Sequence, residues 1–323
     1  MKAILIKHPG DADVMEYGDA PDPVVKENEL LVRVRATAVN RADVLQRRGF
    51  YPPPPGASDI LGLELAGEVE KPAGHWKKGD RVMAVVTGGS YAQLAVVPAD
   101  QAMPIPANLN YEQAAAIPEA FQTAYLNLFN LGGLQSGDTV LVHAGASGVG
   151  SAAIQLARAA GARVFATAGS EDKLKLCRDL GAELAINYKQ EKFRDRVLAA
   201  TQNRGVDIIL DFIGAPYWND NLAAAARNAR LMLIGFLGTT RGELDLALLL
   251  QRAMTVAATT LRRLPPAEKA DLSQALSAFA LGRFERGELK PVVDSVYPIE
   301  KSADAHRHME ANRNLGKIVL KVD

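Results

Sequence analysis

The feature that most constrains this chain lies at residues 139–161. There a short apolar run, TVLVHA (139–144), passes through Gly145, Ala146, Ser147, Gly148, Val149 and Gly150 into an alanine-rich stretch, 151–160, that Gly161 stops. A strand turning straight into a helix cannot fold back as a hairpin. Repeated strand–helix alternation of this kind builds a parallel sheet with the helices laid on it. The same alternation continues downstream. A strand is expected at 163–168, and a helix at 171–180 with Ser170 as N-cap, Glu171 and Asp172 in its first turn and Gly181 after it. Apolar runs at 206–213 and 231–236 flank a helix expected at 217–230. Strands this short and apolar, alternating with helices, specify a doubly wound parallel sheet covered on both faces.

The glycine turn also carries chemistry. In a dinucleotide-binding fingerprint, glycines permit a tight turn, close approach of backbone to a pyrophosphate and close helix–strand packing. Gly145 and Gly150 hold the outer glycine positions and Ser147 stands at the middle one. Gly148 and Val149 complete the turn, and the N-terminus of the helix at 151–160 offers unpaired N–H groups and a positive dipole end to the phosphates. A Gly-rich turn can be only a turn, but the strand before it and the helix after it favour nucleotide binding on a Rossmann sheet. The end of the next strand reads Ala168, Gly169, Ser170, with no carboxylate where an NAD site binds the ribose 2′-hydroxyl. Ser170 and Lys173 suit a 2′-phosphate, so NADPH is the expected cofactor. The plain alternative is that Ser170 only caps its helix and Lys173 is a surface lysine.

The first 120 residues have a different period. Residues 31–40 (LVRVRATAVN) alternate apolar with polar, and further strands are expected at 2–7, 63–70, 81–86 and 91–97, with one weak helix at 41–48. This is an antiparallel β domain. A helix at 267–284 and a strand at 317–322 close the chain. Lys plus Arg and Asp plus Glu both number 37, which removes the electrostatic reason to bind nucleic acid or an anionic membrane. The N-terminal segment MKAILIKHPGD has only four apolar residues between charges, too few for a signal-peptide core, so a cytoplasmic protein without a membrane span is expected. The single cysteine, Cys177, sits between Leu174 and Leu180 on one helical face and reads as packing. His306 and His308, among charged residues, read as solvated, and His143 as a hydrogen-bonded strand-end histidine.

Several stretches together resemble the zinc-independent quinone oxidoreductase branch of the medium-chain dehydrogenase/reductase superfamily. They are NRAD (40–43), YPPPPGAS (51–58), AAAIPEA (114–120), HAGASGVG (143–150), TAGS (167–170), NYK (187–189) and MEANRNLGKIVL (309–320). The resemblance runs from end to end. It implies a GroES-like substrate domain from 1–121 and 265–323, a Rossmann domain from 122–264, and an active site in the cleft between them. It also implies roles. Tyr51 would hydrogen-bond or stack on the substrate, and Asn40 would fix the nicotinamide ribose, unless it merely ends a strand. Thr123 would contact the carboxamide, unless it is a helix-start hydroxyl. Tyr188 would join Ser170 and Lys173 at the 2′-phosphate, Gly235, Phe236 and Leu237 would line the nicotinamide, and Asn314 would touch the cofactor. The catalytic-zinc segment of relatives, Gly-His-Glu, here reads Gly62, Leu63, Glu64, and leucine cannot bind zinc; no metal is expected. The implied reaction is metal-free hydride transfer from NADPH to a quinone. The alternatives are reduction of α,β-unsaturated carbonyls or enoyl thioesters, or NADPH binding without turnover. A homodimer is expected, with the strand at 231–236 as pairing edge.

Overall fold

All four residues of the strand Thr139–Val142 are buried, as are all six of Val206–Asp211, which requires cover on both faces of the sheet they share. The computed structural model describes residues 1–323 and divides into two units, Met1–Gln122 with Leu261–Asp323, and Thr123–Thr260. The second unit holds six parallel strands in the order Leu184–Asn187, Arg163–Ala168, Thr139–Val142, Val206–Asp211, Ala225–Leu233, Thr255–Ala258. Numbered by their appearance in the chain this is 3-2-1-4-5-6, the Rossmann order, and its switch point falls beside Thr139–Val142. Leu141, Phe165, Ile186, Val197, Ile209 and Leu231 form its core.

The first unit is built around Glu29–Ala38, whose inward-facing Leu30, Val32, Val34, Ala36 and Ala38 are 0–1% exposed. It pairs antiparallel with Glu64–Lys71, Leu94–Pro98 and Lys317–Lys321, and the last of these pairs parallel with Val293–Pro298. Full burial of each such Val or Leu contributes about 1.5–3 kcal/mol. No helix is long and apolar enough to cross a membrane.

Four expectations are corrected. The helix expected at 217–230 ends at Ala224, and Ala225–Leu233 is a strand with Asn228 in the left-handed region. Strands on both sides outweigh the helix propensity of its alanines. That strand stops at Leu233, not 236. It is also no edge, because Thr255–Ala258 pairs along its outer side. The strand expected at 91–97 is Leu94–Pro98, since Tyr91 is drawn into the core with its N–H on the Leu61 carbonyl.

Candidate functional site

In the second unit the glycine turn joins strand Thr139–Val142 to helix Gly148–Ala159, which starts three residues before the alanine run. Ser147 is its N-cap, and its Oγ accepts from the Gly150 N–H at 3.1 Å. The Ser151 N–H goes to the Ser147 carbonyl, so the first-turn amides of Gly148 and Val149 are left for a ligand. Both outer glycines are steric necessities. A Cβ on Gly145 would meet Cys177 Sγ at 2.8 Å and Ala166 Cβ at 2.9 Å, and one on Gly150 would meet the Ala144 carbonyl oxygen at 2.3 Å. Burial pushes the Cys177 thiol up to about 12, consistent with a packing cysteine.

His143 lies fully buried beneath the turn. Its Nδ1 is 3.0 Å from Thr167 Oγ1 and its Nε2 2.7 Å from Asn221 Oδ1; Asn221 in turn donates to Asp211. Burial pushes His143 down to about 4, so it is a neutral strut at the carboxyl ends of the strands.

At the end of Arg163–Ala168, Ser170 occupies the backbone N-cap position of Glu171–Asp179, but its side chain makes no cap hydrogen bond. The capping alternative therefore fails. A Cβ on Gly169 would lie 2.6 Å from the Tyr188 hydroxyl and 3.2 Å from Lys189 Cε. Tyr188 and Lys189 thus gather at Gly169 next to Ser170, with Lys173 on the first turn of the following helix. Lys189 is a cation that sequence reasoning missed, although it sits in the quoted NYK segment. On the other flank Gly235, Phe236 and Leu237 follow the strand. The Leu237 N–H reaches the Phe212 carbonyl at 2.8 Å, and Phe236 and Leu237 are about half exposed. Thr123 is buried inside helix Pro118–Tyr125 rather than at its start, which removes the capping alternative for it as well.

The first unit contains a buried charge cluster. Asn40 ends the central strand region, and its Nδ2 donates to Glu64 Oε1 at 2.8 Å and to the Ala38 carbonyl at 3.2 Å. Its Oδ1 accepts from Lys317 Nζ at 2.6 Å. Opposite charges on its two sides fix the amide orientation. Both side-chain N–H bonds are used, and the backbone N–H of Asn40 donates to Asp43 Oδ2 at 2.8 Å. Lys317 also pairs with Glu64 at 2.7 Å and donates to the Val39 carbonyl at 3.1 Å. Glu64 Oε2 accepts from the Glu119 N–H at 2.8 Å. Leu63 is 2% exposed, and no group of three His, Cys, Asp or Glu side chains is arranged to hold a metal ion. Tyr51 is half-buried, and Arg262 Cζ lies over its ring, 5.4 Å from the centroid. Asn314 spends its amide on the Gly316 carbonyl at 2.8 Å.

His306 is buried, not solvated. Its Nδ1 is 3.2 Å from Arg47 Nη1 and its Nε2 3.1 Å from the Tyr91 hydroxyl, while Arg47, itself 0% exposed, pairs with Glu310. His308 is half-buried against Tyr297 and Asp294.

Glu119 Oε2 is sealed from solvent without a partner, and burial first, then the Glu64 charge, raises its carboxyl to about 8. A carboxyl raised on folding from 4.5 stabilises the fold fully below about pH 4.5 and loses that contribution as pH rises through about 8. Wild-type stability in urea is therefore expected to fall from about pH 4.5 to about pH 8, and Glu119→Gln should flatten that fall by one proton's worth of slope. An unchanged slope in the variant would show that Glu119 is ionised throughout.

Comparison with known proteins places these features. The alcohol dehydrogenase GroES-like domain pattern matches residues 26–107, and the zinc-binding dehydrogenase pattern matches 148–280. A quinone oxidoreductase of Sus scrofa is 32% identical over 99% of this chain and 97% of its own. A crystal structure of an NAD-dependent alcohol dehydrogenase superposes with a TM-score of 0.89 at 34% identity over 100% of both chains. A mycobacterial protein solved with NADPH gives 0.90 at 30% over 99% of both, and the JamJ enoyl reductase 0.87 at 26% over 100% of this chain and 99% of that one. The chain belongs to the medium-chain dehydrogenase/reductase superfamily of oxidoreductases, in its zinc-independent quinone oxidoreductase branch. Its fold is α/β, a Rossmann parallel sheet with a GroES-like β-rich domain.

Proposed function

We propose that this protein is an NADPH-dependent reductase that passes hydride to quinones without a metal. The observation that carries the reading is the strand end at Gly169. A tyrosine and a lysine gather there beside Ser170, donors suited to a 2′-phosphate, and the strand end itself, Ala168 to Ser170, carries no carboxylate. Gly145, Ser147, Gly148, Val149 and Gly150 would hold the pyrophosphate, and Ser170, Lys173 and Tyr188, with Lys189, the 2′-phosphate. Gly235, Phe236, Leu237, Thr123, Asn40 and Asn314 would serve the nicotinamide half. When bound, the reduced nicotinamide supplies the hydride. Quinones fit a site with Leu63 in place of a zinc ligand, because a conjugated ring accepts hydride and spreads the charge onto its own oxygens without a Lewis acid. The likeness to an enoyl reductase supports a second reading, reduction of conjugated enones or enoyl thioesters. We also propose a cytoplasmic homodimer, and the free sheet edge for it is Thr255–Ala258.

The test follows the near-ultraviolet absorbance of NADPH and NADH with phenanthrenequinone, a naphthoquinone and a panel of enones, chelator present throughout. Fast NADPH oxidation by the quinones, slow with NADH and indifferent to the chelator, is the expected result. Turnover confined to enones would favour the second reading. NADPH binding without oxidation by any acceptor would sink both and leave a binding protein.

A further inference from the structure

Arg262 is 4% exposed, on the short helical turn Leu261–Arg263. Its Nε donates to the Thr87 carbonyl at 2.8 Å, and its own carbonyl accepts from Lys269 Nζ at 2.8 Å. Both terminal nitrogens, Nη1 and Nη2, are sealed from solvent and have no hydrogen-bond partner. A guanidinium never loses its charge, so four charged N–H bonds lie buried and unmet. Native structures rarely leave such donors unmet, and a bound ligand, an ion or ordered water ordinarily supplies the partner.

The surroundings do not neutralise the charge. Asp43 and Glu119 act on Arg262 electrostatically, but burial holds them up at about 7 and about 8, so Glu119 is mostly neutral at pH 7 and Asp43 only partly ionised. Neither hydrogen-bonds to the terminal nitrogens. Glu64 is already committed to Lys317. On one side stands Gly88, where an added Cβ would lie 3.6 Å from Nη2. On the other is the Tyr51 ring, in a segment, 50–63, that has neither helix nor strand. A planar, positive, unpaired fork beside an aromatic ring fits a flat ligand carrying an oxygen that becomes negative.

We propose that the Arg262 guanidinium, flanked by the Tyr51 ring, binds the carbonyl oxygen of the conjugated hydride acceptor and holds that oxygen as an anion after hydride addition. The inference rests on the reductase reading above and names its oxyanion site. In the step, hydride brings two electrons and one proton from the reduced dinucleotide to the acceptor. The negative charge passes through the conjugated system to the oxygen on Arg262. A proton from water then completes the reduced product. Fixed donors aimed at developing charge in a water-poor site are worth more than the same donors in solvent.

The test compares binding of para-nitrophenolate, an aromatic oxyanion visible by its colour, with para-nitroanisole, its neutral ether. Each is titrated into wild type, Arg262→Met, Arg262→Lys and Tyr51→Phe. Arg262→Met is expected to lower the phenolate-to-ether affinity ratio at least tenfold and to reduce kcat with quinone by about 10²–10³-fold, with NADPH affinity unchanged. Arg262→Lys, which keeps the charge but not the fork, should fall between the two. It carries the same readout if Arg262→Met does not fold. Tyr51→Phe should weaken both ligands less than twofold and leave their ratio near wild type. A ratio unchanged in Arg262→Met or Arg262→Lys, or both ligands weakening together, overturns the proposal and makes Arg262 a structural residue. Wild type that oxidises no NADPH with any acceptor overturns the reductase reading instead.

Discussion

Lys317→Met is expected to destabilise the protein by about 3–5 kcal/mol, because it leaves the buried Glu64 carboxylate without its counter-ion. Lys317 is 4% exposed and Glu64 0%. The ammonium has three N–H bonds and three acceptors: Glu64 Oε1 at 2.7 Å, Asn40 Oδ1 at 2.6 Å and the Val39 carbonyl at 3.1 Å. The carboxylate is equally saturated, by Lys317, Asn40 Nδ2 and the Glu119 amide. Such a pair is worth little against an apolar replacement of both partners, but breaking one side exposes the full cost of a lone buried charge. The expected signature is therefore non-additive. Lys317→Met should lower the urea midpoint sharply, while Lys317→Met combined with Glu64→Gln should recover most of the loss. Against a typical total of about 5–15 kcal/mol, the single change brings the protein near its unfolding threshold. A single variant within about 1 kcal/mol of wild type would show that water reaches Glu64 in solution.

This cluster was not legible in the sequence, and the reason is physical. Lys317 and Glu64 stand on different strands, and only the antiparallel pairing of Glu29–Ala38 with both Lys317–Lys321 and Glu64–Lys71 brings them together. Nothing local in either segment marks a buried charge. His306 was misjudged on the same ground, since its neighbours in helix Ser302–Glu310 are charged while its own face packs on Arg47 and Tyr91. Arg262 gave no local signal either, as its two orphan nitrogens are a property of what surrounds them.

The parallel strands were readable because burial on both faces leaves an unbroken apolar run. Ala225–Leu233 was not, because its first half is alanine and arginine, good helix formers that two flanking strands override. The edge strand Thr255–Ala258 escaped notice because it is four residues long and mostly exposed, with neither a run nor an alternation to betray it. The glycine turn was legible since its constraint is local. Even so, the helix start was set three residues late. Gly148, Val149 and Gly150 have poor helix propensity, and it is the Ser147 cap that starts the helix there.

That turn carries the second large effect. Gly150→Ala is expected to weaken NADPH binding at least a hundredfold while the protein still folds. The added Cβ would meet the Ala144 carbonyl oxygen at 2.3 Å, Gly145 Cα at 2.8 Å and the Gly145 carbonyl carbon at 2.9 Å. All three are backbone atoms of the turn, so no side chain can swing aside and the helix start must shift. The amides of Gly148 and Val149 then lose the alignment on which anion binding at a helix N-terminus depends. Gly137→Ala is the control. Gly137 has φ +89° but nothing within 4 Å of its would-be Cβ, so the change strains the backbone without touching the turn. It should cost about 1 kcal/mol of stability and leave NADPH binding intact. Calorimetric titration of both variants separates the two effects. Equal loss of affinity in the two would mean that general destabilisation weakens binding, and undisturbed affinity in Gly150→Ala would place the dinucleotide phosphates somewhere other than the glycine turn.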